Sequence, residues 1–473
     1  MQTLGDAMES VAYDKSSVAS IYDFASRLIG KTLNQATELP IDIVNKRNRG
    51  DLGKLVEVHY FKHNPPNNHD PDFPEAGVEL KTTGVAQYKK KQKSGEIFKG
   101  KERLVLTSIN FKTIGDESWY NSTLLHKCNL MLVLFYEYAP EVSVIDQKFI
   151  FKPLLIELSD KHSSVYEREL DFILENAMAI PPEDLAQIKR DWESIRTKIA
   201  SQKAHELSEG DTFYLGACRK GSGGDKETLK KQSESVVGAK GRAFALKQSY
   251  VSKLVQGHSK REHGLGVNRT VTFEDATKAK FNDYLGLSVE EISKRIGYDT
   301  SAKSRKRAFA RRILEHSGQE LIELKKAGII LKTVSLNKAG KCREDISFPA
   351  FKYLDIYNQS WEESEFADQV ESKFLFVVFK VDCNGIDRLE KVLYWNMPYS
   401  DRLEAEKVWK ETKRRIGIDA RNLPKKSESP VAHVRPHGQN SLDTDEAPNK
   451  EFLVKKCFWL NGSYIAKAVS EAI

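Results

Sequence analysis

The sequence lacks the features that mark a membrane protein or a disulfide-bonded secreted protein. Its five cysteines are isolated and odd in number, and no C-x-x-C pair occurs, which argues against both a zinc site and a disulfide framework. The longest apolar runs, residues 130–136 and 374–379, are too short to cross a bilayer. Residues 1–15 are polar and show no signal-peptide pattern. We therefore expect a protein of the reducing cytoplasm with no membrane partner.

The excess of positive charge is mild. The chain has 473 residues, a formal net charge of +7 and a pI near 8.8. Such a length is enough for two or three domains, and such a charge favours a polyanionic partner without choosing one.

A short pattern of acids and a lysine stands out at residues 71–82. Asp72 and Glu79 lie on either side of a Pro and Gly break, and Lys81 shares a strand face with Glu79 because side chains alternate along a strand. Two carboxylates and one ammonium suit Mg²⁺, which takes oxygen ligands and leaves room for substrate phosphate. The lysine can orient or deprotonate an attacking water. The pattern is short, however, and a surface acid cluster paired with a lysine is the alternative interpretation.

The chain also repeats itself. Residues 327–333, Ala-Gly-Ile-Ile-Leu-Lys-Thr, repeat residues 76–82, Ala-Gly-Val-Glu-Leu-Lys-Thr, and a Ser-Trp pair and an apolar strand follow both copies. Residues 244–250 and 458–464 then end the two halves with similar sequences. A repeat on this scale predicts two copies of one domain.

The two copies differ at the acidic positions. Counting back from Lys332, Ile330 stands where Glu79 stood, and Glu323 stands where Asp72 stood. Because isoleucine cannot bind Mg²⁺, we expect the second copy to keep the fold and lose the metal. The predicted organisation is a catalytic domain over residues 1–262, a linker over 263–271, and a catalytically degenerate DNA-binding domain over 272–473.

With these residues assembled, the chain resembles the MutH-like endonucleases of the PD-(D/E)XK nuclease superfamily. Asp72-Phe73-Pro74 followed by residues 77–82 matches the MutH motif. The two-copy arrangement resembles the Sau-type type II restriction endonucleases, which cut GATC before the G, and this resemblance includes residues 101–106, 203–210 and 433–437. The resemblance implies an α/β fold of two tandem restriction-endonuclease-like domains, each a mixed β-sheet flanked by helices.

The resemblance further implies roles for single residues. Two acids and one backbone carbonyl match the Mg²⁺ ligands, and these are Asp72, Glu79 and Leu80. The implied catalytic residues are Glu57, Asp72, Glu79, Lys81 and Lys127.

Basic segments supply the predicted DNA contacts. A hairpin tip and a helix carry lysines and arginines that suit phosphate, which gives affinity without sequence information. The resemblance places base reading in residues 214–223 and 433–440, where an arginine can make a bidentate contact to guanine. Ordinary solvated surface is the alternative for each. The predicted residues are Lys89, Lys90, Lys91, Arg219, Lys220, Arg305, Arg307, Arg435 and His437.

The sequence therefore predicts a Mg²⁺-dependent type II restriction endonuclease that hydrolyses double-stranded DNA at a short site, GATC by resemblance. The second copy is expected to bind another DNA site as an effector, and the chain is expected to be a monomer that dimerises on DNA. Two alternatives stay open: a MutH-like repair enzyme that nicks one strand, and a sequence-specific DNA-binding protein that does not cleave.

Overall fold

The computed structural model describes residues 13–39, 52–63, 70–88, 95–219, 229–256, 271–298, 304–316, 319–320 and 322–471. The chain divides into two compact units. Unit 1 comprises Met1–Glu193 and Ala243–Lys260, and unit 2 comprises Ser194–Arg242 and Arg261–Ile473. The units therefore do not follow the two sequence halves, and the domain boundaries predicted from the repeat remain a proposal. Residues 263–270 of the predicted linker lie outside the described residues.

The chain is a mixed α/β protein. Its α-helices are Val18–Ser26, Leu33–Ala36, Leu52–Leu55, Thr123–Cys128, Leu170–Asn176, Pro182–Ala200, Gln248–Gln256, Phe273–Phe281, Val289–Ile296, Arg305–Leu314, Ile322–Ala327, Tyr353–Asn358, Glu365–Glu371, Tyr399–Asp419 and Gly462–Glu471, with a π-helix at Val56–Tyr60. Its strands are β1 Val78–Gln87, β2 Phe98–Gly100, β3 Leu104–Ser108, β4 Leu130–Glu137, β5 Leu154–Glu157, β6 Ala177–Ala179, β7 Leu215–Arg219, β8 Arg242–Leu246, β9 Glu315–His316, β10 Gln319–Glu320, β11 Ile330–Leu336, β12 Ile346–Ala350, β13 Lys373–Val381, β14 Asp387–Asn396, β15 Ala432–Pro436, β16 Thr444–Glu446, β17 Phe452–Val454 and β18 Lys456–Leu460. No helix of the described part of the chain is long and apolar enough to cross a membrane.

The main sheet of unit 1 has the strand order β2-β1-β4-β5-β6. β1 runs parallel to β4 and antiparallel to β2, and β4 runs antiparallel to β5. The core side of β1 carries Val78 and Leu80, which pack with Leu132 and Leu134 of β4. β4 is buried over its first six residues, as its apolar run predicts for a central strand.

The sheet of unit 2 has the order β11-β13-β14, and it repeats the parallel and then antiparallel pairing of β1, β4 and β5. The apolar run 374–379 forms the buried part of β13, which confirms its prediction as a strand. A second sheet of unit 2 places β18 between β12 and β15, antiparallel to both. In unit 1, β3 pairs antiparallel with residues 243–246 of β8 in a similar way.

The two Ser-Trp pairs adopt the same local structure. Each serine forms a capping box at the start of a 3₁₀ turn, and each tryptophan packs edge-on against the tryptophan of a long helix. The ring centroids of Trp119 and Trp192 are 5.9 Å apart, and those of Trp361 and Trp409 are 5.8 Å apart. The repeated sequence thus builds a repeated packing contact.

The similar ends of the two halves also make similar contacts. The hydroxyl of Tyr250 donates to Asp184 at 3.0 Å, and the hydroxyl of Tyr464 donates to Asp401 at 2.8 Å. Each acid lies in the first turn of a long helix, Pro182–Ala200 or Tyr399–Asp419. Each hydrogen bond therefore connects a long helix to the helix that ends the same sequence half, Gln248–Gln256 or Gly462–Glu471.

Unit 2 contains a buried ion cluster around Glu371. Its carboxylate accepts a hydrogen bond from Arg219, while Arg242 and Arg402 are buried nearby. Burial raises the pKa of Glu371, but the three arginines outweigh that effect and hold its pKa below the ordinary value. Glu362 pairs with Arg219 as well, at 3.8 Å. Glu371 therefore balances charge that would otherwise be repulsive inside unit 2.

Replacing Glu371 with glutamine should destabilise unit 2. The change keeps the side-chain shape but leaves buried arginines without their main counter-charge, which typically costs about 3 kcal/mol or more of folding free energy. Urea unfolding is the measurement. The matched control is Glu365→Gln on the exposed side of the same helix, expected to change stability by less than about 0.5 kcal/mol. Equal midpoints for the two variants would contradict the role given to Glu371.

Candidate active site

A tight turn brings the two acids of the motif together. Phe73 and Val78 exchange two backbone hydrogen bonds, of 2.9 and 3.1 Å, so the chain folds back directly before β1. Gly77 adopts a φ of +67°, in the left-handed region that glycine enters without strain. The turn leaves Asp72 beside Glu79, as the sequence predicts.

The carboxylates are oriented by backbone hydrogen bonds that cross the turn. The amide of Asp72 donates to Oε2 of Glu79 at 3.0 Å, and the amide of Leu80 donates to Oδ2 of Asp72 at 2.9 Å. Asp72 is 4% exposed and Glu79 is 1% exposed. The carboxylate of each acid is therefore oriented by a backbone amide on the opposite side of the turn.

Two lysines face these acids. Nζ of Lys81 lies 2.6 Å from Oε1 of Glu79. Nζ of Lys127, on the helix Thr123–Cys128, lies 3.5 Å from Oε2 of Glu79 and donates to the carbonyl of Asp70 at 3.0 Å. Burial works to lower the pKa of Lys81, but the neighbouring Cys128 thiol and Glu79 carboxylate outweigh that effect and keep the pKa above its ordinary value.

Glu57 completes the cluster from the π-helix Val56–Tyr60. Single π-turns occur often at functional sites, where they displace one side chain from the regular helical pattern. Burial raises the pKa of Glu57 to about 7, and the negative charge of Asp72 adds to that effect. Lys81 and Lys127 act on Glu57 in the opposite direction. The structure thus brings all five predicted catalytic residues into one electrostatic group.

The cluster of five predicted catalytic residues lacks positive charge. Burial raises the pKa of Glu79 to about 7 too, with Asp72 adding to the rise and Lys81 opposing it. Two buried carboxylates that resist ionisation at neutral pH, even beside two lysines, would be stabilised by a further cation. This charge deficit fits a divalent metal at Asp72 and Glu79.

The available donor atoms restrict which kind of metal ion the site can bind. Within the described ranges no group of three or more His, Cys, Asp or Glu side chains could hold a metal ion. A structural zinc or calcium cage made of side chains is therefore not present in that part of the chain. Two carboxylates with a backbone carbonyl, such as that of Leu80, suit a hard cation that keeps water and substrate oxygens as further ligands.

A cavity of about 680 Å³ lies in unit 1 next to the turn, and none of the five predicted catalytic residues lines it. It is lined by Asp70, Pro71, Gly77 and His126, among others. Nε2 of His126 lies 2.8 Å from Oδ1 of Asp70. Asp70 was not singled out from the sequence, and its carbonyl accepts a hydrogen bond from Lys127.

The predicted DNA contacts are only partly described. Lys89, Lys90, Lys91 and Lys220 lie outside the described residues. Arg219 is held by Glu371 and Glu362 in unit 2, as described above. Its predicted contact with DNA remains a prediction, and it would require the arginine to exchange partners.

The remaining predicted contacts are in unit 2. Arg305 pairs with Glu290 at 3.2 Å, whereas Arg307 on the same helix is exposed. Nη1 of Arg435 lies 3.2 Å from Asp345. The Arg435 guanidinium and the His437 ring both lie against Trp459, with centroid distances of 4.8 and 5.6 Å. Both side chains are exposed.

Comparison with known proteins agrees with this site. Residues 61–169 match the family described as DNA mismatch repair enzyme MutH. That segment contains four of the five clustered residues, namely Asp72, Glu79, Lys81 and Lys127, and Glu57 lies just before it.

A second similarity extends over nearly the whole chain. The type II restriction enzyme Sau3AI of Staphylococcus aureus is 29% identical over 518 aligned residues, which cover 96% of this chain and 98% of that protein. The MutH match covers Asp72, Glu79 and both lysines, and the restriction-enzyme match includes the second half of the chain. Together, the two matches support a MutH-like, Sau-type restriction endonuclease, a site-specific deoxyribonuclease.

Proposed function

We propose that the chain is a Mg²⁺-dependent enzyme that cuts both strands of double-stranded DNA at a short site, GATC, before the G. The observation that carries the chemistry is the convergence of Asp72, Glu79 and Lys81 at one turn. The target sequence comes from the family resemblance. A restriction enzyme acts where DNA lies, so we expect this one in the cytoplasm.

The metal would be held by Asp72, Glu79 and the carbonyl of Leu80. When bound, Mg²⁺ supplies positive charge that polarises the phosphate and lowers the pKa of a coordinated water. The backbone hydrogen bonds across the turn set the directions of both carboxylates before any ligand arrives. Such preorganisation means that little reorientation is needed during the reaction.

The lysines act on the substrate. The contact with Glu79 at 2.6 Å holds the ammonium of Lys81 at the acids, where it can donate to the attacking water or to a phosphate oxygen. Lys127 adds a second positive charge to offset the charge that grows on the phosphate. Glu57 has a pKa of about 7, so it can accept a proton near neutral pH.

The second half acts through binding in this proposal. Residues 1–262 would form the catalytic domain, 263–271 the linker, and 272–473 a second MutH-like domain that binds another DNA site as an effector. Support for tandem domains comes from the shared order of β1-β4-β5 and β11-β13-β14 and from the paired Trp–Trp and Tyr–Asp contacts. One active site cuts one strand, so we propose a monomer that dimerises on DNA.

A nicking enzyme is the second candidate, because the matched family is described as a mismatch repair enzyme. The two functions differ in their product. A restriction enzyme converts supercoiled plasmid to linear DNA, whereas a nicking enzyme stops at open circles.

Glu79→Gln should abolish cleavage. The substitution keeps the shape of the side chain but removes a charged metal ligand and the partner of Lys81, so we expect a loss of roughly a thousandfold or more. The assay is plasmid digestion with Mg²⁺, followed by sequencing of the cut ends. The control Glu75→Gln makes the same change at an exposed position of the same turn and should cut normally. Mg²⁺-dependent cutting by Glu79→Gln at the wild-type rate would refute the assignment.

Glu57→Gln should stabilise the metal-free protein at pH 8. The carboxyl of Glu57 ionises near pH 4.5 in a free chain and near pH 7 in the folded protein, so ionisation opposes folding as the pH rises between these values. The full difference corresponds to about 3 kcal/mol. Because Glu57 is only partly buried and solvent screens its charge, we expect a gain of about 2 kcal/mol at pH 8 and none at pH 4.

Thermal or urea unfolding in EDTA at the two pH values tests this. Glu75→Gln, which is exposed, serves as the control and should show no pH-dependent gain. A Glu57→Gln variant that is less stable than wild type at pH 8 would contradict the electrostatic description of the cluster.

A further inference from the structure

The cavity of about 680 Å³ in unit 1 shares part of its wall with the turn that carries the acids. Pro71 and Gly77 line it, and they precede Asp72 by one residue and Glu79 by two. Because consecutive Cα atoms are about 3.8 Å apart, this part of the wall lies within about 8 Å of the acids along the backbone. Neighbouring nucleotides of one DNA strand are about 3.4 Å apart along the helix axis. The cavity is therefore close enough to receive a nucleotide that flanks the bond cut at the acids.

Asp70 connects the acids to this cavity. Its carbonyl accepts a hydrogen bond from Lys127 at 3.0 Å, and Lys127 lies 3.5 Å from Glu79. Asp70 also lines the cavity, and its carboxylate lies 2.8 Å from Nε2 of His126, a second lining residue. The helix Thr123–Cys128 thus directs one side chain to the acids and the preceding one to the cavity. The two sites are neighbours in the fold as well as in the sequence.

Lys161 brings positive charge to the cavity. Its ammonium lies 4.0 Å from the ring centroid of Tyr120, and both residues line the cavity. Lys161 is exposed, and within the described ranges it forms no ion pair with a carboxylate. The acid next to it in sequence, Asp160, is paired with Lys189 at 3.0 Å. The charge of Lys161 is therefore uncompensated.

Hydrogen bonds hold a ring and an amide beside this lysine. The hydroxyl of Tyr120 donates to Asp160 at 3.0 Å. Asn121, another lining residue, accepts through Oδ1 from the backbone amide and the hydroxyl of Ser118, at 2.6 and 2.9 Å. Nδ2 of Asn121 donates to no residue in the described part of the chain. Lys161 and Asn121 therefore offer an ammonium and an amide donor to the same cavity.

The wall carries little negative charge to compete with a ligand. Among the described residues that line the cavity, Asp70 is the single acid, and it has His126 as a partner. His162 lines the cavity too, and its Nδ1 lies 2.8 Å from Glu157. An anion would compensate the charge of Lys161, whereas an uncharged base or sugar would not. The charges of the wall thus favour a phosphate as the occupant.

We propose that Lys161 and Asn121 bind a backbone phosphate of DNA next to the phosphate that is cut. Phosphate oxygens accept hydrogen bonds from both donor types, and the bond from an ammonium is of the strong, charge-assisted kind. The contact fixes the position of the strand relative to Asp72 and Glu79 without reading bases. This inference rests on the proposal that DNA is cut at those two acids, and it adds the place that holds the adjacent phosphate.

Binding to DNA that carries single neutral phosphates tests the inference. Full-length protein is titrated in EDTA, which prevents cutting, against fluorescent duplexes with one GATC site. Each duplex has a methylphosphonate at a different position around the expected cut. Wild-type protein should bind about tenfold more weakly when the contacted phosphate is neutral. Lys161→Gln should bind the unmodified duplex more weakly by a similar factor and lose no further affinity at that one position. Additive losses at every position would overturn the inference.

Two further variants examine the donors separately. Lys161→Arg keeps the charge, so it should retain the loss of affinity at the neutral position, and insensitivity there would count against the site. Asn121→Ala should weaken binding by about threefold and reduce the loss at the same position, because one of two donors is missing. A full wild-type loss with Asn121→Ala would contradict the part given to this amide.

The matched control is Lys148→Gln. Lys148 is an exposed lysine of unit 1 that forms no ion pair with a described residue. Its carbonyl accepts from the amide of Glu137 at 2.8 Å, at the end of β4 opposite Asn129, which lines the cavity. The variant should bind within about twofold of wild type, because it removes no phosphate contact. A loss equal to that of Lys161→Gln, with the same phosphate insensitive, would refute the site.

Plasmid cleavage separates this inference from the proposed function. Wild-type protein that fails to cut in Mg²⁺ refutes the proposed function. Wild-type protein that cuts, together with a Lys161→Gln variant that keeps wild-type affinity and wild-type sensitivity to every methylphosphonate, refutes only the phosphate site.

Discussion

The candidate active site depends on two backbone hydrogen bonds that cross the turn and orient the carboxylates of Asp72 and Glu79. The amides of Asp72 and Leu80 donate across the turn that Phe73 and Val78 close. Buried carboxylates are costly unless such donors compensate them. The turn therefore compensates the burial of both carboxylates. The same hydrogen bonds direct their oxygen atoms toward one point where a cation can bind.

Electrostatic balance separates the two units more clearly than their folds do. In unit 1, burial holds the pKa values of Glu57 and Glu79 at about 7, so positive charge is lacking. In unit 2, Ile330 stands where Glu79 stands in unit 1, and Lys332 donates to the carbonyl of Ser347. The first arrangement calls for a further cation, and the second lacks the acid at the position of Glu79. Related strand orders thus carry different charges.

Sequence reasoning located the centre of the site because that part is local. Asp72, Glu79 and Lys81 are separated by a turn and by alternation along one strand, and both depend only on nearby backbone geometry. Glu57 and Lys127 came from the family resemblance, because their approach depends on how the helices Leu52–Leu55 and Thr123–Cys128 pack on β1. No spacing along the chain encodes such an approach.

By itself, the sequence determined the repeat, the buried strands and the loss of the second acid at Ile330, since each follows from residue type and short-range order. Tertiary structure alone decided which charges are compensated. Arg219 reads as an exposed basic residue in sequence, yet it is held by Glu371, 152 positions away. Coulombic energy depends on distance and burial in space, so only the folded chain could show which cations in this protein already have partners.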